Sequence, residues 1–463
     1  MVLQQKLDAV LIGHNYLNTM LAMTLIKKGK KILLIDDVRF NAGEILTHSL
    51  SMLDLMTLKS WAEFNQVRSL LRIEDYLQPH QYFIFIKKRE VFLGNQVSAN
   101  LQELERKYPV FFKATDVQSK LKLSLQAEEF CLEWSKLFVH FKPHFFKPDL
   151  SLAKLLKQSK FSLLLEHFLY FYQSFKNKVH LDDETRALLN SLTYTTRAIF
   201  HGHLSQTGQL NELVHLYLTM ILPSYKVNHD ALMQDFLQEL KQAGGEFKEM
   251  SVGEFQLQGS IVKGMELKSF DGLIESNQYI FMGSLPKELD FDWEQSRGQY
   301  TSLNVQIQLA QTPHFLRQKK VISSSPMRIS TDRPLFEMTF FEKSIEIKWV
   351  IFRQSGTKLS FVKESVLNDI KRELLFLFPE FSFEIKAYSM NFSKDLFLVD
   401  SGFHSFGRSA TKQMGKQLNL ILSPLRKQRA KNVFFIGPSH RLLKNNLGLT
   451  STLIEIKKWQ EQK

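Results

Sequence analysis

Cysteine is almost absent from this sequence, and long runs of proline, glycine or apolar residues are missing. The single cysteine, Cys131, excludes an intrachain disulfide framework and a cysteine-based zinc site, and it fits a reducing compartment. The 12 prolines and 20 glycines occur singly or in pairs among 463 residues, so no low-complexity linker separates independent modules. Any domains are therefore expected to be interleaved.

Membrane-spanning and secretory segments are also missing from the pattern. The longest apolar region, Phe161 to Phe175, contains Glu166 and His167 and is shorter than the ~20 residues that a bilayer span requires. It predicts a buried or interfacial helix. The first residues run almost at once into an apolar strand, without a leader pattern. The sequence therefore predicts a cytoplasmic protein, with peripheral membrane association as the open alternative.

Basic residues outnumber acidic ones, with 60 Lys and Arg against 47 Asp and Glu and a net charge of +13. Such a surface could attract nucleic acid, anionic lipid or an acidic partner. The charges are spread in short runs, however, and no zinc-finger, RNA-recognition or basic-zipper signature accompanies them. A solvated lysine-rich surface is the simpler interpretation. An anionic membrane or a protein remains the alternative partner, and there is no specific nucleic-acid signal.

The beginning of the chain predicts a strand, a helix and a second strand with short joints. The helix stops at Gly29, a residue type that ends helices well, and the second strand ends in Asp36 and Asp37. This order is that of the right-handed βαβ unit of a parallel sheet. The predicted elements are a strand over 8–12, a helix over 18–28 and a strand over 31–35.

The remaining chain divides into a helical part and a strand-rich part. From about Leu53 to Leu222 the pattern is mainly helical and rich in aromatic residues, with a strand at 82–86. Its aromatic residues predict either a wall for an apolar substrate, a membrane-facing surface, or a core built on phenylalanine. After Pro223 the pattern predicts a helix over 230–241, strands over 246–247, 252–257, 279–282 and 432–436, alternating strands over 302–362, and helices over 364–378 and 450–460.

A dinucleotide site in a βαβ unit needs three small residues in its first turn, for the bend, the pyrophosphate and helix packing. The corresponding positions here are Gly13, Asn15 and Asn18, with His14 between the first two. An asparagine side chain at these positions occupies space where a diphosphate lies against the helix N-terminus. Asp36 is placed to accept hydrogen bonds from ribose hydroxyls; a solvated strand end or a helix cap is the alternative.

The stretch from Asp8 to Glu44 resembles the N-terminal segment of FAD-dependent oxidoreductases of the phytoene desaturase and amine oxidase type. That family has a Gly-Gly-Arg turn where this chain has Ala42, Gly43 and Glu44. The resemblance continues with a helix that ends in Gly244 and Gly245, a strand whose valine lies on the adenine side of the cofactor, and a final flavin-contacting strand at 432–437. It implies FAD as cofactor, a small apolar or amine-bearing substrate, and cofactor contacts at Gly13, His14, Asn15, Asn18, Asp36, Asp37, Gly43, Val252, Gly437, Gly448 and Leu449.

Three side chains depart from that family's pattern and motivate a second hypothesis. Asn15 replaces a glycine, Glu44 replaces an arginine, and Pro438 replaces an acidic residue. The segment from Gly29 to Asp36, followed by Ala42 to Glu44, is also similar to Rab GDP-dissociation inhibitors and escort proteins, which use this fold without flavin. The chain is therefore either a FAD-dependent oxidoreductase or a flavin-free module that binds a protein or a lipid.

The predicted fold class is α/β, with a Rossmann-like, doubly wound FAD/NAD(P)-binding domain and an interleaved helical and strand-rich substrate or cap domain. No catalytic residue is predicted, and His201, His203 and His229 have too few further ligands to predict a metal site. The predicted cofactor-binding segments are 1–52, 223–290 and 426–463, the helical cap is 53–222, and the strand-rich substrate domain is 291–425.

Overall fold

The strands come from all parts of the sequence. The structure is a computed structural model that describes residues 7–13, 16–37, 49–79, 82–86, 89–139, 152–177, 210–268, 270–281, 300–317, 320–324, 336–352, 363–393 and 431–435. Its strands are β1 (Ala9–Ile12), β2 (Ile32–Asp36), β3 (Ser49–Ser51), β4 (Leu77–Pro79), β5 (Tyr82–Ile86), β6 (Arg89–Leu93), β7 (Ser224–Val227), β8 (Glu246–Glu249), β9 (Val252–Gln258), β10 (Ile261–Leu267), β11 (Phe270–Ile274), β12 (Tyr279–Phe281), β13 (Tyr300–Leu309), β14 (Lys320–Ser324), β15 (Phe336–Phe340), β16 (Ser344–Phe352), β17 (Ile385–Ser393) and β18 (Val433–Phe435).

Most helices lie between β2 and β8. They are α1 (Tyr16–Lys27), α2 (Met52–Asn65), α3 (Arg68–Leu71), α4 (Val97–Lys107), α5 (Val117–Val139), α6 (Leu152–Leu156), α7 (Ser162–Asn177), α8 (Leu210–Ile221), α9 (His229–Gln242) and α10 (Lys363–Leu377). Across the described ranges, no helix is both long and apolar enough to cross a bilayer.

The predicted strand-helix-strand unit is confirmed as β1, α1 and β2. The helix begins two residues before the predicted start and ends at Lys27. Gly29 follows with a φ of +75°, and its amide donates to the carbonyl of Ile26 at 2.8 Å. A positive φ is costly for most residues but not for glycine, which explains why the helix stops here. The predicted helices at 230–241 and 364–378 are likewise confirmed as α9 and α10.

A five-stranded parallel sheet joins three distant parts of the chain in the order β18-β12-β1-β2-β8. Every neighbouring pair in it is parallel. β1 lies at the centre, with β2 and β8 on one side and β12 and β18 on the other. The carboxyl ends of strands from the beginning, the middle and the late part of the sequence therefore meet at one edge.

The two faces of this sheet have different covers. Because neighbouring residues of a strand point in opposite directions, Leu11 and Leu34 pack with α1, α2 and α9, whereas Val10 and Ile35 pack against strands β9 to β11. Those three strands form a separate antiparallel sheet. A doubly wound sheet has helices on both faces, so that finer prediction is not confirmed.

The helical part of the chain has its own core, built by α4 to α8. Its largest side chains are buried, including Trp134, Phe161, Phe168 and Phe171. For these described residues the interpretation as a phenylalanine-rich core is confirmed, and they form no exposed wall. The apolar region that begins at Phe161 forms α7, whose inner face lies in this core.

A seven-stranded sheet in the order β17-β13-β16-β15-β14-β5-β6 makes up the strand-rich part, with α10 packed against one face. Its pairs are antiparallel except β14 with β5. β5 and β6 come from the segment predicted as mainly helical, so that segment shares a sheet with the strand-rich one. A small antiparallel sheet, β3-β7-β4, completes the described strands. The predicted domain boundaries remain a prediction.

Candidate functional site

The candidate site is the edge of the parallel sheet where the strands end. From β1 the chain passes through α1 to β2 on one side, whereas β12 pairs with β1 on the other side. In open parallel sheets, ligands bind outside the carboxyl ends of the strands at such a change of direction. Gly13 and Asp36, two of the predicted contact residues, lie at this edge.

Gly13 makes the turn that the sequence predicts for it. Its φ is +100°, a conformation that glycine adopts without the steric cost other residues meet. Its amide donates to the carbonyl oxygen of Ile35 at 2.9 Å, which holds the end of β1 to β2. The first of the three positions of a dinucleotide turn is therefore fulfilled.

Asn18, at the third of these positions, is completely buried in the first turns of α1. Its side-chain nitrogen donates to the carbonyl oxygen of Ile12 at 3.2 Å and also to that of Gly13. The amide group thus ties the helix to the last carbonyls of β1, and the residue fixes the turn through its own side chain. A glycine at this position would leave these carbonyls without that donor.

The two acidic residues that end β2 have different environments. Asp36 is half-buried, and its carbonyl oxygen accepts a hydrogen bond from the amide of Met250 at 3.2 Å. Asp37 is only 3% exposed, and its carboxylate accepts a hydrogen bond from the amide of Val252 at 2.7 Å. Asp37 therefore connects the parallel sheet to the antiparallel sheet that covers it.

Val252 begins β9 and is buried between the two sheets, with Ile35 and Met265 in the same core. Its backbone amide points to Asp37, at the distance of a charge-assisted hydrogen bond. The residue that the resemblance places on the adenine side of a cofactor thus donates this amide to the chain's own carboxylate.

The other predicted contact residues cannot be placed beside these. They lie outside the described residues, as do all three residues on which the second hypothesis depends, Asn15 being one of both groups, and nothing is concluded about their surroundings. The contact residues concerned are His14, Asn15, Gly43, Gly437, Gly448 and Leu449, and the further two residues are Glu44 and Pro438.

Sequence reasoning missed one side chain that holds this region together. Asn432, just before β18, accepts a hydrogen bond from the amide of Val262 at 2.9 Å and donates to the carbonyl of Val262 at 2.8 Å. It extends the backbone pairing of β10 with a side chain. No local signal marks it, because the two residues are far apart in the sequence.

The described side chains at this edge form hydrogen bonds to the backbone. Asp36 is half-buried at this edge, and the side chains of Asn18 and Asp37 bind the backbone. In the part of the chain that the structure describes, no three histidine, cysteine or acidic side chains are grouped to hold a metal ion. Of the FAD contacts that the resemblance predicts in this part of the chain, Gly13 has the expected positive φ and Asp36 lies at the edge, whereas the amide of Val252 is bound by Asp37.

Comparisons with known proteins agree with this fold but give no close relative. Neither a scan of protein families nor a search of curated proteins found a match. Among solved structures, an oxidoreductase from Methanosarcina mazei aligns over 98% of this chain and 100% of its own, with 10% identity and a TM-score of 0.53.

Two further solved structures are more distant. A Rab GDI from Plasmodium falciparum aligns over 84% of this chain and 89% of its own, with 11% identity and a TM-score of 0.43. Glycine oxidase from Bacillus cereus aligns over 99% of this chain and 96% of its own, with 10% identity and a TM-score of 0.40. The chain spans 56% of the peptidyl tryptophan dihydroxylase QhpG and 64% of the FAD-dependent halogenase CndH that it also matches.

At such low identities a likeness shows the fold and nothing finer. The parallel sheet, and the likeness to the Methanosarcina oxidoreductase over nearly the whole of both chains, show a mixed helix and strand fold with a parallel sheet. The narrower assignment to the phytoene desaturase and amine oxidase type remains a prediction.

Proposed function

We propose that this chain is a flavin-free binding protein built on an FAD/NAD(P)-binding fold, and that the surface it binds is an anionic membrane. The single observation that carries the flavin-free half is the buried hydrogen bond between the carboxylate of Asp37 and the amide of Val252, at 2.7 Å. A cofactor that needs this amide has to displace a carboxylate that is only 3% exposed.

The cost of that displacement is large compared with what a single cofactor contact returns. A hydrogen bond to a charged group contributes about 1.5–3 kcal/mol, and the displacement removes this one from a buried carboxylate. Asn18 acts in the same direction, because its side chain already donates to the last carbonyls of β1. Both contacts favour a protein whose own side chains form the hydrogen bonds at this edge of the sheet, without a cofactor.

The membrane half of the proposal rests on the exposed face of α5 and on the net charge of +13. Val117, Leu121 and Leu125 follow one another at intervals of four residues and are 75%, 56% and 67% exposed. Residues at this spacing lie on one side of a helix, so they form an apolar stripe. Apolar side chains that enter the headgroup region, together with basic charge, are what a peripheral protein needs to bind anionic lipid.

The flavin-free half is tested by adding FAD to the purified protein. We expect a colourless protein whose melting temperature does not change with excess FAD and whose FAD fluorescence shows no saturable quenching. The test is sensitive, since a ligand present at 100 times its Kd stabilises a protein by about 2.7 kcal/mol. A flavin spectrum in the purified protein, or a saturable shift, would overturn the proposal.

The membrane half is tested by co-sedimentation with vesicles of phosphatidylcholine alone and of phosphatidylcholine with phosphatidylserine. We expect binding to the anionic vesicles only, a loss of binding in high salt, and at least a fivefold loss in the Leu121→Ser, Leu125→Ser double variant. Leu257→Ser serves as the matched control, because Leu257 is also exposed but lies on β9. Equal binding of the double variant and the control would contradict the assignment to α5.

A FAD-dependent oxidoreductase acting on a small apolar or amine-bearing molecule is the second candidate. It is favoured by the positive φ of Gly13 and by the half-buried carboxylate of Asp36 at the carboxyl edge of the sheet. This candidate requires Asp37 to leave the Val252 amide when the cofactor binds. A bound flavin that a candidate substrate reduces would establish it in place of the flavin-free proposal.

A further inference from the structure

Buried polar side chains from several helices meet at one point of the helical core. His167 on α7 is 4% exposed, and its Nδ1 lies 2.7 Å from the hydroxyl of Tyr217 on α8. Its Nε2 lies 3.3 Å from the carbonyl oxygen of Lys113, in the connection between α4 and α5. The rings of Phe112 and Phe171 pack against Tyr217. One imidazole therefore links α7, α8 and this connection.

The surroundings of the imidazole fix the position of its hydrogen. The hydroxyl of Thr115 lies 3.4 Å from Nε2 and donates its hydrogen to the carboxylate of Glu105. Nε2 also faces the carbonyl oxygen of Lys113 and, at 3.7 Å, the carboxylate of Glu105. Both groups are acceptors, so the hydrogen of the neutral ring belongs on Nε2. Nδ1 is then an acceptor, and the hydroxyl of Tyr217 donates to it. Burial raises the pKa of Tyr217 well above its ordinary value, which keeps this hydroxyl protonated.

The charges that face His167 are already balanced when the ring is neutral. Glu105 on α4 pairs with Lys120 on α5 at 2.7 Å, with both side chains largely buried. Lys113 and Glu166 form a second pair, exposed and 3.2 Å apart. A proton added to His167 would therefore place one uncompensated positive charge in the core.

We propose that His167 is a proton-operated latch: its neutral ring holds α7 to α8 and to the connection between α4 and α5, and protonation releases them. A protonated ring has a hydrogen on both nitrogens, so Nδ1 then donates to the oxygen of the Tyr217 hydroxyl, and the hydrogen of that hydroxyl loses its acceptor. Within the described residues that hydroxyl has no second hydrogen-bond partner. Release would expose Phe112 and Phe171, which are buried in the closed state.

The pH at which the latch acts follows from the energetics of burial. Burial lowers the pKa of His167 below its ordinary value of about 6.5, and the carboxylate of Glu105 opposes this shift without overcoming it. The unfolded chain thus takes up the proton at a higher pH than the folded one. The stabilisation by the neutral ring is complete above about pH 6.5 and is lost as the pH falls through 6.5 toward the lower folded value.

Urea unfolding and hydrogen exchange of the full chain between pH 8 and 5.5 test the latch. Below pH 6.5 the equilibrium constant for opening should rise by up to about tenfold per pH unit. Faster exchange should be confined to 113–120, α7 and α8. The variant His167→Gln offers the same donor and acceptor without titrating, so its exchange there should be independent of pH.

A second variant keeps the test decisive if His167→Gln does not fold. Tyr217→Phe removes the hydroxyl but leaves the imidazole, so His167 should protonate more readily and its C2 proton resonance should titrate at a higher pH than in the unchanged protein. The same pH dependence of exchange in His167→Gln and in the unchanged protein would overturn the proposal. So would identical titration of His167 with and without the Tyr217 hydroxyl.

Discussion

Replacing Phe112 with alanine is expected to lower the free energy of unfolding by about 3–5 kcal/mol. Its ring is completely buried and packs against Phe171 with 5.7 Å between the ring centres, and it also approaches His167 and Tyr217. Alanine would leave a cavity among these rings, because close-packed aromatic side chains on three separate parts of the chain cannot all move inward.

Val110→Ala is the matched control for this experiment. Val110 lies two residues earlier and is 50% exposed, so its truncation should change the free energy of unfolding by no more than about 0.5 kcal/mol. Urea denaturation followed by circular dichroism measures both variants. A loss below about 1.5 kcal/mol for Phe112→Ala would contradict the assignment of this ring to a packed core.

Replacing Asp37 with alanine is expected to cost about 2–3 kcal/mol. The change removes the acceptor of the Val252 amide and leaves that amide buried without its carboxylate. Asp37→Asn keeps an oxygen that can accept from Val252, although it loses the charge and replaces the second oxygen with an NH2 group, so it should cost less than alanine. Thermal and urea denaturation measure the difference.

The comparison of these two variants tests the structural role of Asp37 directly. Equal losses for alanine and asparagine would mean that charge, and not the acceptor position, dominates at this site. Unchanged stability in both would place Asp37 away from Val252 and remove the main support for the flavin-free proposal. Neither outcome depends on identifying a partner.

Local patterns were sufficient to predict the elements of the parallel sheet. β1, α1 and β2 follow from an apolar run, a helical spacing and the stop at Gly29, all within thirty residues. β5 was predicted from its unbroken run of apolar residues in the same way. Such signals are local, because propensity and periodicity depend on neighbours in sequence.

The environment of the site depends on distant residues and could not be predicted in this way. Asp36 and Asp37 are adjacent residues of the same type, yet Asp36 is half-buried, whereas Asp37 is buried and bound to the amide of Val252. The hydrogen bond from Asn18 to the carbonyl of Ile12 also could not be predicted. In the sequence, an asparagine at this position indicates only that its side chain takes space from a diphosphate. The joining of β5 to β14 also required the structure, since the two strands belong to segments predicted to be separate.

The strand order of the parallel sheet has a consequence for the synthesis of the chain. β1 can pair with β2 almost as soon as both leave the ribosome, but its other neighbour is β12, where Val10 meets Tyr279. Until β12 has been synthesised, one edge of β1 keeps unpaired backbone groups. Nascent chains with unpaired strand edges are prone to aggregate. Contacts of such high sequence separation also fold slowly. The completed sheet is therefore a late product of folding, because β1 has to wait for β12.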